Sequence, residues 1–132
     1  IWIAGNHDPA LPSDIGGVIA SEVGIGLIVF RHEPSGAVGE IAGHLHPKAR
    51  VATRARVTER RCFASDGERA VMPAFGAYPG GLSPRDEACT KIFGARDFPA
   101  HVLGDNRPES DDSRFWGAVP VGQVLGRYVR TL

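Results

Sequence analysis

Four of the five histidines lie between residues 7 and 46, each just after a short apolar run. They stand in Gly5-Asn6-His7-Asp8, in Arg31-His32-Glu33-Pro34 and in Gly43-His44-Leu45-His46-Pro47. Neutral imidazole nitrogens suit Zn, Mn, Fe or Ni, and the amide of Asn6 offers a neutral oxygen beside them. On a strand, the two-residue spacing of His44 and His46 would point both side chains the same way. Asn6, His32, His44 and His46 are therefore candidate ligands of a divalent cation, with His7 as the candidate catalytic residue next to it. Any one of these histidines alone would be an ordinary surface or hydrogen-bonded side chain. Their shared placement at strand ends is what points to a metal site.

Those placements need strands to carry them. Ile1–Ala4, Gly26–Arg31 and Glu40–Gly43 read as three short strands, each running into a loop closed by proline. Polar groups at strand ends are where open α/β sheets build their sites. Helical signals are weak, and Pro84–Phe93 is the best helix, with Asp86 and Glu87 in its first turn. Cys62–Met72 reads as a hairpin turning at Ser65-Asp66-Gly67. The 17 glycines and 10 prolines agree with a strand-rich, turn-rich chain.

Between Lys48 and Arg61 the charge changes sharply. Lys48, Arg50, Arg54, Arg56, Arg60 and Arg61 face one acidic residue, Glu59. On a continuous strand Arg50, Arg54, Arg56 and Arg60 would share one face, opposite Val51, Thr53, Ala55 and Val57. Such a stripe either faces phosphates or is a solvated edge that blocks aggregation. Arg31, Arg54 and Arg56 are the candidate phosphate contacts.

The composition sets the outer bounds. With 132 residues, 42% of them apolar and 23% charged, the chain is globular in type and can form one modest domain. Fifteen basic residues balance fifteen acidic ones, so no net field draws in a polyanion. The longest apolar run, Val23 to Phe30, is too short to cross a bilayer, and no basic segment precedes it as in a secretory signal. Two cysteines cannot form a disulfide framework, so reduced buried thiols and a cytoplasmic setting are expected. The chain opens at Ile1 inside an apolar stretch, which reads as a fragment lacking its N-terminal part.

The three histidine motifs, in order, resemble the second half of a calcineurin-like metallophosphoesterase. Residues 1–103 resemble more narrowly the ligase-associated DNA-damage-response endonuclease group, called PdeM-like. The strings Trp2-Ile3-Ala4-Gly5-Asn6-His7-Asp8-Pro9, Gly39-Glu40-Ile41-Ala42-Gly43-His44-Leu45-His46-Pro47 and Met72-Pro73-Ala74-Phe75-Gly76-Ala77-Tyr78 carry that likeness. It implies an α/β fold, the C-terminal half of a two-sheet sandwich flanked by helices. It implies that Asn6, His32 and His44 bind one metal, that His46 binds the other, and that His7 assists the leaving oxygen. The metals implied are Mn or a similar ion such as Zn or Fe. Two metals about 3.5–4 Å apart would activate water against a phosphoester, and DNA is the implied substrate in a repair setting. The D-x-H and G-D motifs that supply the family's bridging carboxylates have no counterpart here, so the chain alone is expected to bind one cation weakly and to be inactive. Half a sandwich would also leave apolar sheet surface uncovered, so self-association is expected.

Gly104-Asp105-Asn106-Arg107-Pro108-Glu109-Ser110-Asp111-Asp112-Ser113-Arg114 resembles a different family, the type I signal peptidases. The likeness extends through Phe115–Pro120 and Val124–Arg127, so 104–132 reads as a short β-rich tail. It implies that Ser110 would bond the catalytic lysine and that Asp112 would pair with Arg114. A Ser–Lys dyad needs a desolvated lysine, yet Lys48 and Lys91 match no such motif and no Ser-Met pair is present. Peptidase activity, and with it a membrane partner, is not expected. The two likenesses meet at Val102-Leu103-Gly104, as in a chimera. Three readings therefore stand: a phosphoesterase fragment, a peptidase piece with a foreign leader, and a non-enzymatic β-rich domain whose basic stripe binds nucleic acid.

Overall fold

A computed structural model describes residues 1–6, 14, 16–52, 57–76, 80–94 and 97–102, together with the backbone of 119–120. Its strands are β1 (Trp2–Ile3), β2 (Ile19–Ala20), β3 (Glu22–Ile25), β4 (Ile28–Arg31), β5 (Glu40–Ala42), β6 (Lys48–Ala52), β7 (Val57–Ser65) and β8 (Ala70–Val71). The helix α1 (Glu87–Phe93) and strands β9 (Pro99–Val102) and β10 (Val119–Pro120) follow. The three strands expected to precede the histidine motifs are present as β1, β4 and β5. The sequence reading missed β3, which turns at Gly26-Leu27 and pairs antiparallel with β4.

The main sheet runs in the order β10-β9-β7-β8-β5-β4-β3, with β6 also paired to β7. It is mixed: β4, β5 and β8 are mutually parallel, and the remaining pairs are antiparallel. β1 and β2 pair in parallel as a separate two-stranded sheet. The hairpin expected at Ser65-Asp66-Gly67 forms between β7 and β8, with Asp66 Oδ1 accepting from the backbone N–H of Glu68 and Arg69.

Two small cores lie on this frame. Ala49, Cys62, Ala100 and Val102 join β6, β7 and β9. Ala64, Val71, Phe93 and Phe98 form the second, with Leu45 and Ile92 packed against it. Phe93 and Phe98 stack at 4.0 Å between ring centres. Helix α1 starts later than the expected Pro84, because Asp86 caps it by accepting from the Ala88 N–H at 3.1 Å. The fold is thus α/β and strand-rich, but α1, at seven residues, is the only α-helix among the described residues. The flanking helices implied by the resemblance are not among them. None of the helices in the described residues is long and apolar enough to cross a membrane.

Large apolar side chains remain exposed on the N-terminal strands, among them Ile1, Trp2, Val18 and Ile19. At the far end, β10 pairs antiparallel with β9, Val119 opposite Ala100 and Pro120 opposite Pro99. Residues 119–120 are thereby joined by backbone pairing to the edge of the main sheet.

Candidate metal centre

β4 and β5 are adjacent and parallel, with Phe30 opposite Ile41 and Arg31 opposite Ala42. Their C-terminal ends therefore coincide. The pairing continues one step further, where Gly43 N–H donates to the His32 carbonyl at 3.0 Å. This sets His32 and His44 side by side. β1 delivers Asn6 from the second sheet, after Ala4 N–H donates to the Ala20 carbonyl at 3.2 Å.

Three side-chain atoms converge there. His32 Nε2 lies 2.6 Å from Asn6 Oδ1 and 3.1 Å from His44 Nδ1. His44 Nδ1 lies 3.3 Å from Asn6 Oδ1, closing the triangle. The two imidazoles meet edge to face, with ring centres 5.0 Å apart. Donors sharing one ion at about 2.0–2.2 Å stand roughly 3.0–3.4 Å from one another at tetrahedral or octahedral angles. Two edges of the triangle match that spacing. The third, between Asn6 and His32, has the length of a hydrogen bond in which Nε2–H donates to the amide oxygen. Among the described residues no group of three His, Cys, Asp or Glu side chains is placed to hold a metal. What converges is two imidazoles and an amide.

Gly5 has a steric reason to be glycine. A Cβ on Gly5 would lie 2.8 Å from both Cε1 and Nδ1 of His32, so the ring packs directly onto the backbone of the Asn6 motif.

His44 and His46 do not sit on a strand, contrary to the period-two expectation. β5 ends at Ala42, and both histidines adopt positive φ, 60° at His44 and 48° at His46. Leu45 N–H donates back to the Gly43 carbonyl at 2.7 Å. His44 is thus the centre of a γ-turn with positive φ, the rare and strained form. Non-glycine residues at such angles cost about 1–3 kcal/mol each and persist only where the surroundings over-determine them. Here Leu45 is anchored in the Phe93–Phe98 core. The 81–82 segment clamps the loop from outside: Leu82 N–H donates to the Leu45 carbonyl at 3.1 Å, and Lys48 N–H to the Leu82 carbonyl at 2.9 Å. Gly81 packs so tightly on the His46 carbonyl that a side chain there could not fit. His46 shares this loop and is half-buried, while the triangle itself is made by Asn6, His32 and His44.

Arg31 borders the site but is occupied by carboxylates. Its Nη2 donates to Glu22 Oε2 at 2.5 Å, and its Nε lies 3.5 Å from Glu40 Oε2. Glu40 is 2% exposed and also accepts from Ser35 N–H, Ser35 Oγ–H and Gly36 N–H. Asn6, Arg31, His32 and Glu33, together with residues 19–22, line an open groove of about 570 Å³.

The single arginine face is not formed as expected. β6 and β7 are paired strands on either side of residues 53–56, so residue parity is not carried through. Arg50 stands opposite Glu59 and Lys48 opposite Arg61, whereas Arg60 stands opposite Ala49 on the other face. Lys48 Nζ lies 3.8 Å from Glu59, and Arg61 donates to the Gly76 carbonyl at 2.7 Å. His7, Arg54, Arg56, Ser110, Asp112 and Arg114 lie outside the described residues.

Sequence reasoning passed over Glu33 as a site residue. Its Oε1 lies 3.8 Å from His44 Nε2, the ring nitrogen that faces away from the triangle. A carboxylate directly after His32 was the available signal.

The crystal structure of Pseudomonas putida nuclease MPE is similar to this chain, with 27% sequence identity and a TM-score of 0.51. The match covers 78% of this chain and 49% of that one, so the chain spans about half the length of the nuclease. Residues 96–132 match the family model described as signal peptidase, peptidase S26. That match begins before Gly104 and takes in β9 as well as the tail. No curated protein matches the chain.

Proposed function

We propose that residues 1–103 form part of the site of a metal-dependent phosphodiesterase of nuclease type. The observation that carries this reading is the convergence of Asn6 Oδ1, His32 Nε2 and His44 Nδ1 at the aligned ends of neighbouring strands. The likeness to a nuclease supports it.

The donor set fits a borderline divalent ion, with Zn, Mn and Fe as the candidates. Once bound, such an ion would polarise a phosphoryl oxygen and lower the pKa of water at the site. The chain's own residues supply positioning. Asn6, His32 and His44 are all neutral as ligands, so they leave the ion's charge available to an anionic phosphoester. His46 is proposed as a ligand of a second ion and His7 as the group that assists the leaving oxygen. A close pair of dications needs anionic bridges between them. Among the described residues no group of three His, Cys, Asp or Glu side chains is placed to hold a metal, and the chain alone is proposed to hold one cation weakly and to be inactive.

DNA is the proposed substrate class. The β6–β7 hairpin leaves directly from the His44–Pro47 loop, and Arg50 is exposed on it. Residues 104–132 carry a second likeness, to signal peptidase. No peptidase activity is proposed for them, since the sequence holds no lysine in the required motif and no Ser-Met pair.

The test is calorimetric titration of the full chain with Mn²⁺ and Zn²⁺, beside H32A and H44A. One-site binding that either substitution weakens by at least tenfold supports the reading. Absence of binding, or binding that both variants retain, overturns it. Hydrolysis of bis(p-nitrophenyl) phosphate and of plasmid DNA by the same samples then measures the activity.

A further inference from the structure

We infer that the outer face of β6, β7 and β9 binds an unpaired DNA strand, with Phe75 as the platform for a base and Lys48, Arg50 and Arg61 as the phosphate contacts. Strand register fixes this face. Side chains alternate along β7, so Glu59, Arg61 and Phe63 share one side, while Cys62 and Ala64 point into the two buried cores. On β6, Lys48 stands opposite Arg61 and Arg50 opposite Glu59. On β9, His101 stands opposite Phe63. Arg50 and His101 are exposed. Three cations therefore share the face with one carboxylate, Glu59, which lies 3.8 Å from Lys48 Nζ. The chain as a whole is neutral, so this positive excess is local and suits an anionic strand.

Two aromatic rings adjoin the cations. Phe75 is 69% exposed. Its ring centre lies 6.0 Å from that of Phe63, with the planes tilted by 57°, so the half-buried Phe63 backs it from the sheet. Arg61 Nη2 donates to the Gly76 carbonyl at 2.7 Å, which ties the residue after Phe75 to the same face. Lys48 connects this face to the histidine loop. Its stem lies against Gly81, the residue that packs on the His46 carbonyl.

Phosphate contacts position a nucleic acid of either form. The exposed ring is what selects a single strand. In a duplex each base face is covered by its neighbours, whereas an unpaired strand can lay a base on an aromatic side chain. Sheets that carry aromatic rings among basic side chains hold single strands in this way. The choice of DNA rests on the function proposed above; the stacking and the phosphate contacts need no bound metal.

The experiment uses the full chain in EDTA, as wild type, F75A, F75W and R50Q. Fluorescence anisotropy follows a labelled oligothymidylate of about 12 nucleotides over a series of salt concentrations, beside an oligouridylate and a DNA duplex of equal length. The wild type is expected to bind the DNA single strand more tightly than the duplex. F75A weakens that binding about fivefold or more at equal salt, and F75W restores it, as loss and return of one stacked base require. R50Q instead lowers the salt slope by about 0.7, the share of one phosphate contact on a single strand. Thermal melts show that F75A stays folded, its ring being exposed in the wild type. Absence of binding by the wild type, F75A binding equal to wild type, or a duplex bound as tightly as the single strand overturns the inference. Tighter binding of the oligouridylate overturns the choice of DNA. Calorimetry with Mn²⁺ on EDTA-free samples separates the two readings. DNA binding that responds to F75A in a chain that binds no Mn²⁺ sustains the surface and overturns the metal reading. Mn²⁺ binding together with DNA binding indifferent to F75A does the reverse.

Discussion

His32 rests on Gly5: a side-chain carbon at residue 5 would stand 2.8 Å from two atoms of the imidazole ring. The ring's position, and with it its 2.6 Å approach to Asn6, depends on that missing carbon. Gly5→Ala should therefore push His32 out of the triangle. The expected outcome is a stability loss of about 1–3 kcal/mol from overpacking, with Zn²⁺ or Mn²⁺ affinity falling further than the melting point explains. Calorimetric titration beside a denaturant melt separates the two effects.

His44 adds a second, opposite kind of strain. Its φ of 60° suits glycine better than any β-carbon residue. H44A keeps the strain and loses the imidazole, whereas H44G loses both. H44G should unfold at higher denaturant than H44A, by about 1 kcal/mol, while neither binds the cation. Equal stabilities for the two variants would show that the turn is not strained.

Glu40 and Arg31 should differ sharply in cost. Glu40 is buried and gathers bonds from Ser35 and Gly36 as well as facing Arg31. Removing Arg31 leaves the Glu40 carboxylate with those backbone and hydroxyl donors. Removing Glu40 strips the turn after Pro34 of its acceptor and leaves Arg31 half-buried beside Glu22 alone. E40A is expected to cost about 3 kcal/mol, in the range for breaking a buried pair, and R31A clearly less. Urea titrations of both variants measure the difference.

The two thiols predict an alkaline limit. Burial, then the charge of Cys89, pushes Cys62 up from 9.0 to about 12. Burial, then Asp86, raises Cys89 likewise to about 12. The folded state thus holds protons that the unfolded chain gives up from about pH 9. Their stabilising contribution is complete below pH 9 and is lost as pH rises toward 12. Unfolding midpoints should fall between pH 9 and 11, and fall less steeply in a C62A/C89A variant. Alkylation by iodoacetamide at pH 8 should track global unfolding, because the thiolate is the reactive form.

Much of the site was legible before the fold. Asn6, His32 and His44 were singled out by residue type and by their place after apolar runs, and these are the side chains that meet. β1, β4 and β5 were expected from the same runs. The period-two reading of His44 and His46 did not hold, since both lie in a turn at positive φ and not on a strand. The arginine face failed because parity along one strand was carried across a hairpin, where Arg60 turns to the side of Ala49. β3 was missed because Val23 to Phe30 reads as one apolar run, although the chain reverses within it at Gly26-Leu27.

Local pattern could determine which residues carry the chemistry, because apolar runs, turn residues and imidazoles are written in neighbouring positions. Only the tertiary structure decided that β4 and β5 lie side by side in parallel, so that residues 32 and 44 share one end of the sheet. Only the tertiary structure placed Leu45 in the Phe93–Phe98 core, where it holds His44 at an angle no local preference would choose. Strand pairing and core packing are contacts between distant segments. Their energies depend on which surfaces meet, and that is absent from any window of sequence short enough to read by pattern.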